Sequence, residues 1–409
     1  MFSANTDIGS TYSADGGNTW TFGRSTYYPW GTVANPNWYR IVQRPDNQVL
    51  YAVLSEVNDI YLGYRIADWQ IDGGGILVRS TDQGATWDTL YNFGHPVVWL
   101  EIDKNNPNRM FASVVHPTEG GLYRSDNAGV TWLEMAKPAR AEGHPYNLVS
   151  LSDGGVVASF SARGVGSGDS LSESSGVFYS PSAGGAWIDR SGPAMRWYTK
   201  DLVLDPHDPS EQTWYATVWG RFTVWPGPNN AGNGGLYRTT DRGLNWTRIY
   251  AHETAESITI HPGNPNIAYL TVENDGLYYT ENLTDPQPVF SRVTSFPFWR
   301  PKRVFFKPGH WSDVWVTTMG GGLWEGRTLS GTAAPEEKLN LKVWPNPIAA
   351  GGMLHVETRE NQTLWLGLRD VSGKLIKTTD LHTPGQFSLE GIAPGVYWLE
   401  WRMGGVYVG

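Results

Sequence analysis

Along the first three quarters of the chain, short apolar runs recur at intervals too close for helices. Met110-Phe-Ala-Ser-Val-Val, Trp214-Tyr-Ala-Thr-Val-Trp, Ala268-Tyr-Leu-Thr-Val, Val314-Trp-Val-Thr-Thr and Val49-Leu-Tyr-Ala-Val read as buried strands. A Gly then opens a further strand, at Gly9, Gly75, Gly121, Gly176, Gly235, Gly276 and Gly322, with spacings of 66, 46, 55, 59, 41 and 46 residues. Before each apolar run lies another strand, often ending at Pro, as in Leu202-Val-Leu-Asp-Pro206 and Ile258-Thr-Ile-His-Pro262. A fourth strand begins at a recurrent Trp. Four short strands per unit of roughly 40 to 50 residues is the pattern of a propeller blade. Seven such units predict an all-β, seven-bladed β-propeller over residues 1–329.

The Trp closes a recurrent phrase. Its clear copies are Ser13-Ala-Asp15-Gly-Gly17-Asn-Thr19-Trp20, Ser80-Thr-Asp82-Gln-Gly84-Ala-Thr86-Trp87 and Thr239-Thr-Asp241-Arg-Gly243-Leu-Asn-Trp246. Ser125–Trp132 carries Asn127 in place of Asp, and Ser180–Trp187 carries Ser182. The sixth and seventh units read as having lost it. The hydroxyl and the carboxylate can bond nearby backbone N–H groups, Gly supplies a positive φ, and Trp buries a large apolar surface. These residues predict a structural hairpin turn, not chemistry. The phrase resembles the Asp-box of sialidase-like and sortilin-like propellers.

Both ends of the repeat are irregular. Met1-Phe-Ser-Ala aligns with Met110-Phe-Ala-Ser, so the chain is expected to begin in the second strand of its first blade. The seventh unit shows no evident fourth strand before the linker, 330–338. We therefore expect a clipped chain, lacking a signal peptide and a closing strand. Residues 339–409 differ in character: Leu341-Lys-Val-Trp-Pro-Asn-Pro347, Leu368-Arg-Asp370-Val-Ser-Gly373-Lys-Leu and Gly391-Ile-Ala-Pro-Gly395-Val-Tyr-Trp-Leu alternate strand and turn signals, predicting a small Ig-like β-sandwich. This tail resembles the C-terminal sorting domain of the type IX secretion system of Bacteroidetes-type bacteria. That resemblance implies an extracellular or cell-surface protein exported across the outer membrane, with the secretion machinery as a partner.

Composition narrows the chemistry. The 48 Gly and 26 Pro fit many turns. The net charge of −9 disfavours nucleic acid or an anionic membrane as partner. With no Cys, disulfides, thiolate metal sites and Cys nucleophiles are excluded. No apolar run is long enough to span a membrane. No metal-binding motif, phosphate loop or nucleophile elbow is present, so neither a metal nor another cofactor is predicted.

Long insertions fall in the loops opposite the recurrent turns, around 56–72, 161–175 and 219–233, and such insertions usually mark a binding face. Loops on this face carry Trp30, Trp38, Trp69, Trp197, Trp219 and Trp225, which read as candidate platforms for sugar rings. Thr6-Asp7-Ile8-Gly9-Ser10-Thr11-Tyr12 resembles the T-D-[IV]-G-G-x-Y segment of the family 74 glycoside hydrolases, the xyloglucanases. In them this Asp is a catalytic carboxylate. Trp197-Tyr-Thr-Lys-Asp201-Leu-Val-Leu-Asp205-Pro206 is similar to W-x-x-x-L-x-I-D-P stretches of the same family. The resemblance implies a glycosidase acting on β-glucan-type polysaccharide, with Asp7 and Asp201 as base and acid; inversion needs a separation of roughly 6.5–9.5 Å. Two features depart from that family. Its members place one carboxylate on each of two propellers, and here blades one and five lie well apart around one ring. The alternative expectation is a non-catalytic surface propeller that binds glycans or proteins.

Overall fold

A computed structural model describes residues 2–5, 9–13, 17, 19–22, 37–60, 67–165, 170–220, 230–307, 310–328, 342–345, 348, 351–357, 363–370, 375–395, 397–403 and 406–407. The chain forms two compact units, Met1–Thr328 and Leu329–Gly409. Among the described residues both are β-structured, and no helix is long and apolar enough to cross a membrane.

Among the described residues of the first unit, seven antiparallel sheets of three or four strands follow one another along the chain, each pairing its strands in chain order, and a two-stranded ladder of Gly164–Val165 with Ser170–Leu171 falls between the second and third strands of the fourth. Sheets two to six have four strands and begin with Asn37–Gln43, Val97–Ile102, Pro145–Ser150, Thr199–Leu204 and Ala255–Ile260. Sheet one has three described strands, Phe2–Asn5, Gly9–Tyr12 and Thr21–Phe22. Sheet seven also has three: Pro301–Lys307, His310–Thr318 and Leu323–Arg327. Such consecutive meanders are the construction of a propeller.

Burial explains the order of strands. The second strands, such as Met110–Val114, Trp214–Val218 and Ala268–Val272, are buried at every position, as continuous apolar sequence requires of a strand covered on both faces. The short fourth strands Leu133–Glu134, Ile188–Asp189 and Ser291–Arg292 are exposed and form the outer rim. From sheet two to sheet seven, each first strand packs on the first strand of the next sheet, so these strands are innermost. Between the sheets lie apolar layers. Tyr215 and Leu236 of sheet five, for example, meet Ile258 and Leu270 of sheet six.

Every one of these six inner strands carries an irregularity near its start. Its partner strand advances one residue less between Trp38 and Arg40, Val97 and Trp99, Pro145 and Leu148, Thr199 and Asp201, Ala255 and Ser257, and Pro301 and Arg303. A bulge bends a strand and re-aims the extra side chain. The residues re-aimed are Tyr39, Val98, Tyr146, Lys200, Glu256 and Lys302.

The recurrent phrase closes the turn from third to fourth strand. In sheet two, Ser80 Oγ accepts from Gly84 N (2.7 Å) and donates to Asp82 Oδ1 (2.8 Å). Asp82 accepts in turn from Thr86 N (2.9 Å) and Thr86 Oγ1 (2.6 Å), and the Trp87 indole donates to Gly84 O (3.1 Å). Gln83 and Gly84 take φ values of 59° and 86°, which is why Gly stands at this point. Asn127 makes equivalent bonds to Ser125 and Thr131. The sixth unit corrects the expectation that its turn is lost: Thr280 Oγ1 donates to Asn282 Oδ1 (2.8 Å), and Val289 N donates to the same oxygen (3.0 Å). A longer loop hides the spacing from the sequence.

The second unit pairs a three-stranded sheet with a four-stranded one. Leu354, Val356 and Phe387 of the first share a core with Leu364, Leu366 and Leu368 of the second.

Removing the buried hydroxyl should unfasten one turn. Ser80→Ala is expected to lower stability by about 1–2 kcal/mol, the range for buried donors left unpaired, measured by urea melts. Bonds from Thr86 and Ser80 hold the Asp82 carboxyl down at about 2, against an ordinary 3.8. A depressed carboxyl stabilises above its ordinary pKa and ceases to as pH falls through the folded value. Asp82→Asn should therefore flatten the acid limb of stability.

Candidate functional site

The face opposite these turns is built by the starts of the inner strands and by the insertions, and the bulge residues tie the two together. Tyr39 donates its hydroxyl to Val57 O (2.8 Å) and accepts from Ile60 N (3.2 Å), while Glu56 Oε2 accepts from Gly74 N (2.7 Å). These bonds seat the insertion of sheet two, which presents Trp69, 65% exposed, on the short 3-10 turn Asp68–Gln70.

Over sheets five to seven the bulges carry charge. Lys302 Nζ reaches Glu256 Oε1 (3.1 Å) and Glu273 Oε2 (2.8 Å). Arg300 Nε reaches Glu273 Oε1 (3.1 Å) and donates to Asn274 Oδ1 (2.8 Å). Lys200 Nζ lies 3.5 Å from Glu256 Oε1 and sits among the rings of Tyr146, Tyr198 and Trp219, at 5.5, 5.5 and 5.2 Å. Burial pulls the Lys200 ammonium down to about 8, with Glu256 resisting. Lys302 is half-buried, and Glu256 and Glu273 outweigh the desolvation and raise it.

One step further along the inner strands stand Arg40, Trp99, Asn147, Asp201, Ser257 and Arg303, round the axis. Arg40 lies flat on the Trp99 ring at 3.5 Å. Asp201 Oδ1 accepts from Asn147 Nδ2 (2.8 Å) in sheet four and from an Arg303 guanidinium nitrogen (2.7 Å) in sheet seven. The latter bond passes over sheet six, so it bridges the axis. Asp201 Oδ2, Glu256 Oε2 and Ser257 Oγ are buried with no hydrogen-bond partner among the described residues. Among the described residues no three His, Asp or Glu side chains converge as a metal would need.

Several expectations are corrected. Asp201 does not precede an inner strand; it is the third residue of Thr199–Leu204, 2% exposed and ion-paired, which leaves it a structural link between sheets. Trp38, 1% exposed, packs edge-on against Trp87 at 5.1 Å, and Trp219, 3% exposed, roofs Lys200; neither offers a face to a sugar. Each large apolar ring finds more burial inside the unit than on its surface. Trp197 is half-buried against the cluster of Tyr146, Tyr198 and Trp219. Asp7, Trp30 and Trp225 lie outside the described residues.

Other residues emerged only in three dimensions. Trp299, 69% exposed, stands on the loop entering sheet seven beside Phe298, whose ring lies 4.6 Å from that of Trp324. The charged trio was open to discovery: Lys200, Glu256 and Lys302 occupy the same offset in Thr-Lys-Asp, Ala-Glu-Ser and Pro-Lys-Arg.

Comparison with known proteins fits this arrangement. The chain is 27% identical over 223 residues to the xyloglucanase Xgh74A of Acetivibrio thermocellus, covering 47% of this chain and 24% of that one. It is 27% identical over 271 residues to a Paenibacillus xyloglucanase (58% and 23% covered), and 23% identical over 281 residues to that of Hypocrea jecorina (60% and 30%). It resembles xyloglucanases. It spans about a quarter of the length of these relatives. Among solved structures, an ancestral GH74 enzyme superposes with a TM-score of 0.54 at 14% identity, covering 95% of this chain and 51% of that one. YCF48 bound to D1 peptide gives 0.53 at 13% identity, covering 80% and 89%. These matches show a propeller of the GH74-like kind. No protein-family model matches the chain.

If Asp201 is structural, Asp201→Ala strands the Arg303 and Asn147 donors and should reduce stability by about 3 kcal/mol, the lower part of the range for a broken buried pair. Urea melts check this; an unchanged midpoint would return Asp201 to the list of free carboxylates.

Proposed function

We propose that the first unit is a seven-bladed, Asp-box propeller of a secreted glycoside hydrolase acting on xyloglucan-like or other β-glucan polysaccharide. The observation that carries this is the 27% identity to two bacterial xyloglucanases, over stretches covering about half of this chain or more. The chemistry of the insertion-bearing face agrees with it. Trp69 and Trp299 supply exposed ring faces.

Asp7 is the catalytic carboxylate of this reading. The described carboxylates near the axis in sheets five to seven, Asp201 among them, are each committed to a cation. The tail, 339–409, acts as a type IX sorting domain that brings the protein to the cell surface or beyond. The same commitment of carboxylates favours one second reading, a non-catalytic propeller that binds glycans or proteins.

Full-length protein should release reducing ends from xyloglucan, and Asp7→Asn should cut the rate by a factor of about 10²–10⁴, the usual contribution of a positioned acid or base. Equal rates in both proteins would remove Asp7 from the mechanism. Binding without hydrolysis in either would establish the second reading.

A further inference from the structure

A histidine pair occupies the corner of the insertion-bearing face where sheets two, three and four meet. His95 stands just before the inner strand of sheet three, and His116 just after that sheet's second strand. Their rings stack with centroids 4.0 Å apart and planes at 28°. His95 Nε2 lies 2.6 Å from Glu119 Oε2. His116 Nδ1 accepts from the backbone N–H of Glu119 (3.0 Å) and of Thr118 (3.4 Å). A nitrogen that accepts holds a lone pair, so the proton of the neutral ring is on Nε2.

The backbone around this pair has little room to yield. His116 N donates to Gly143 O and Gly120 N donates to His116 O, both at 3.0 Å. A Cβ at Gly120 or at Gly143 would collide with the His116 backbone. Just after sheet three's last strand, Lys137 Nζ donates to Thr118 O (3.0 Å), and from sheet four's side Arg163 donates to Pro117 O (3.4 Å).

Protonation therefore has opposite consequences at the two rings. A proton on His95 turns its contact with Glu119 into a charge-assisted bond. A proton on His116 Nδ1 would point at the two N–H groups from which that atom now accepts, with the Thr118 hydroxyl, 3.3 Å away, the one neighbour able to accept it, and this loss of two backbone bonds loosens the turn. Two charged rings in a stack also repel one another. The other charges facing His116 are Asp68 and Asp72 from the sheet-two insertion; Arg163 and the buried His144 stand on the sheet-four side. Burial, then the His95 charge, holds His116 below the ordinary imidazole range, against Glu119, Asp72 and Asp68.

We propose that His95, His116 and Glu119 form a proton-operated latch on this face. It is closed while His116 is neutral, and it opens when His116 takes its proton. Opening frees the 116–120 turn beside Arg163, which also faces Asp68 (3.5 Å) and Glu142 (3.4 Å), and so loosens the seat of the insertion that carries Trp69. The sign follows from the lowered imidazole: the neutral ring's contribution is full above the ordinary range and is lost as pH falls through the lowered value. This latch does not depend on the hydrolase reading.

The test is amide hydrogen exchange on the full chain, with histidine titration followed by NMR. Wild type should show protection of the Glu119 and Gly120 amides that falls at least tenfold on acidification, following the His116 titration and not that of His95. In His116→Asn, Oδ1 stands where Nδ1 accepted and cannot titrate, so protection should persist into acid. Protection independent of pH in wild type, the same acid loss in His116→Asn, or an acid loss that does not follow the His116 titration would each overturn the latch.

Discussion

One extra residue near the start of each inner strand is the constraint on which the rest of this molecule depends. Pairing with the second strand is disturbed at the same level in sheets two to seven, between residues such as Thr199 and Asp201 or Ala255 and Ser257. The bulge turns one side chain per sheet toward the insertion-bearing face and lets the next residue face the axis. Tyr39 anchors an insertion, Tyr146 meets Tyr198, and Lys200, Glu256 and Lys302 assemble one ionic network. Apolar layers between sheets hold the ring of strands together; the bulges decide what it presents.

The network near the axis does structural and electrostatic duty together. Asp201 reaches Asn147 on one side and Arg303 two sheets away, so an acid in an inner strand becomes a strut. Buried ion pairs are weak contributors to net stability but severe in their penalty when one partner is removed. Here they leave one oxygen each of Asp201 and Glu256 buried with no hydrogen-bond partner among the described residues.

Much of the architecture was legible in the residues. Continuous apolar runs marked the second strands, Gly121, Gly235 and Gly276 marked the third, and Ser80–Trp87 marked the turn to the fourth. Each of those signals is local: burial on both faces, a positive φ, a hydroxyl facing a backbone N–H. The site was less legible. Asp201 carried the right residue type, yet its fate depended on Arg303, 102 positions away. Trp38 and Trp219 were visible as large rings, but only packing showed them buried, Trp38 between sheets one and two and Trp219 beside Tyr198 and Leu171, whereas Trp69 and Trp299 remain outside.

By itself, the sequence determined an all-β chain of repeated four-strand units, the turns that join their outer strands, and a tail of different character, because strand periodicity and turn chemistry are set by near neighbours. The tertiary structure alone decided which charges meet. The partners of Lys200, Asp201, His95 and His116 come from other sheets or other loops, brought together by the succession of inner strands around one axis. A side chain's charge and exposure depend on those partners, and no local pattern encodes distance across a ring.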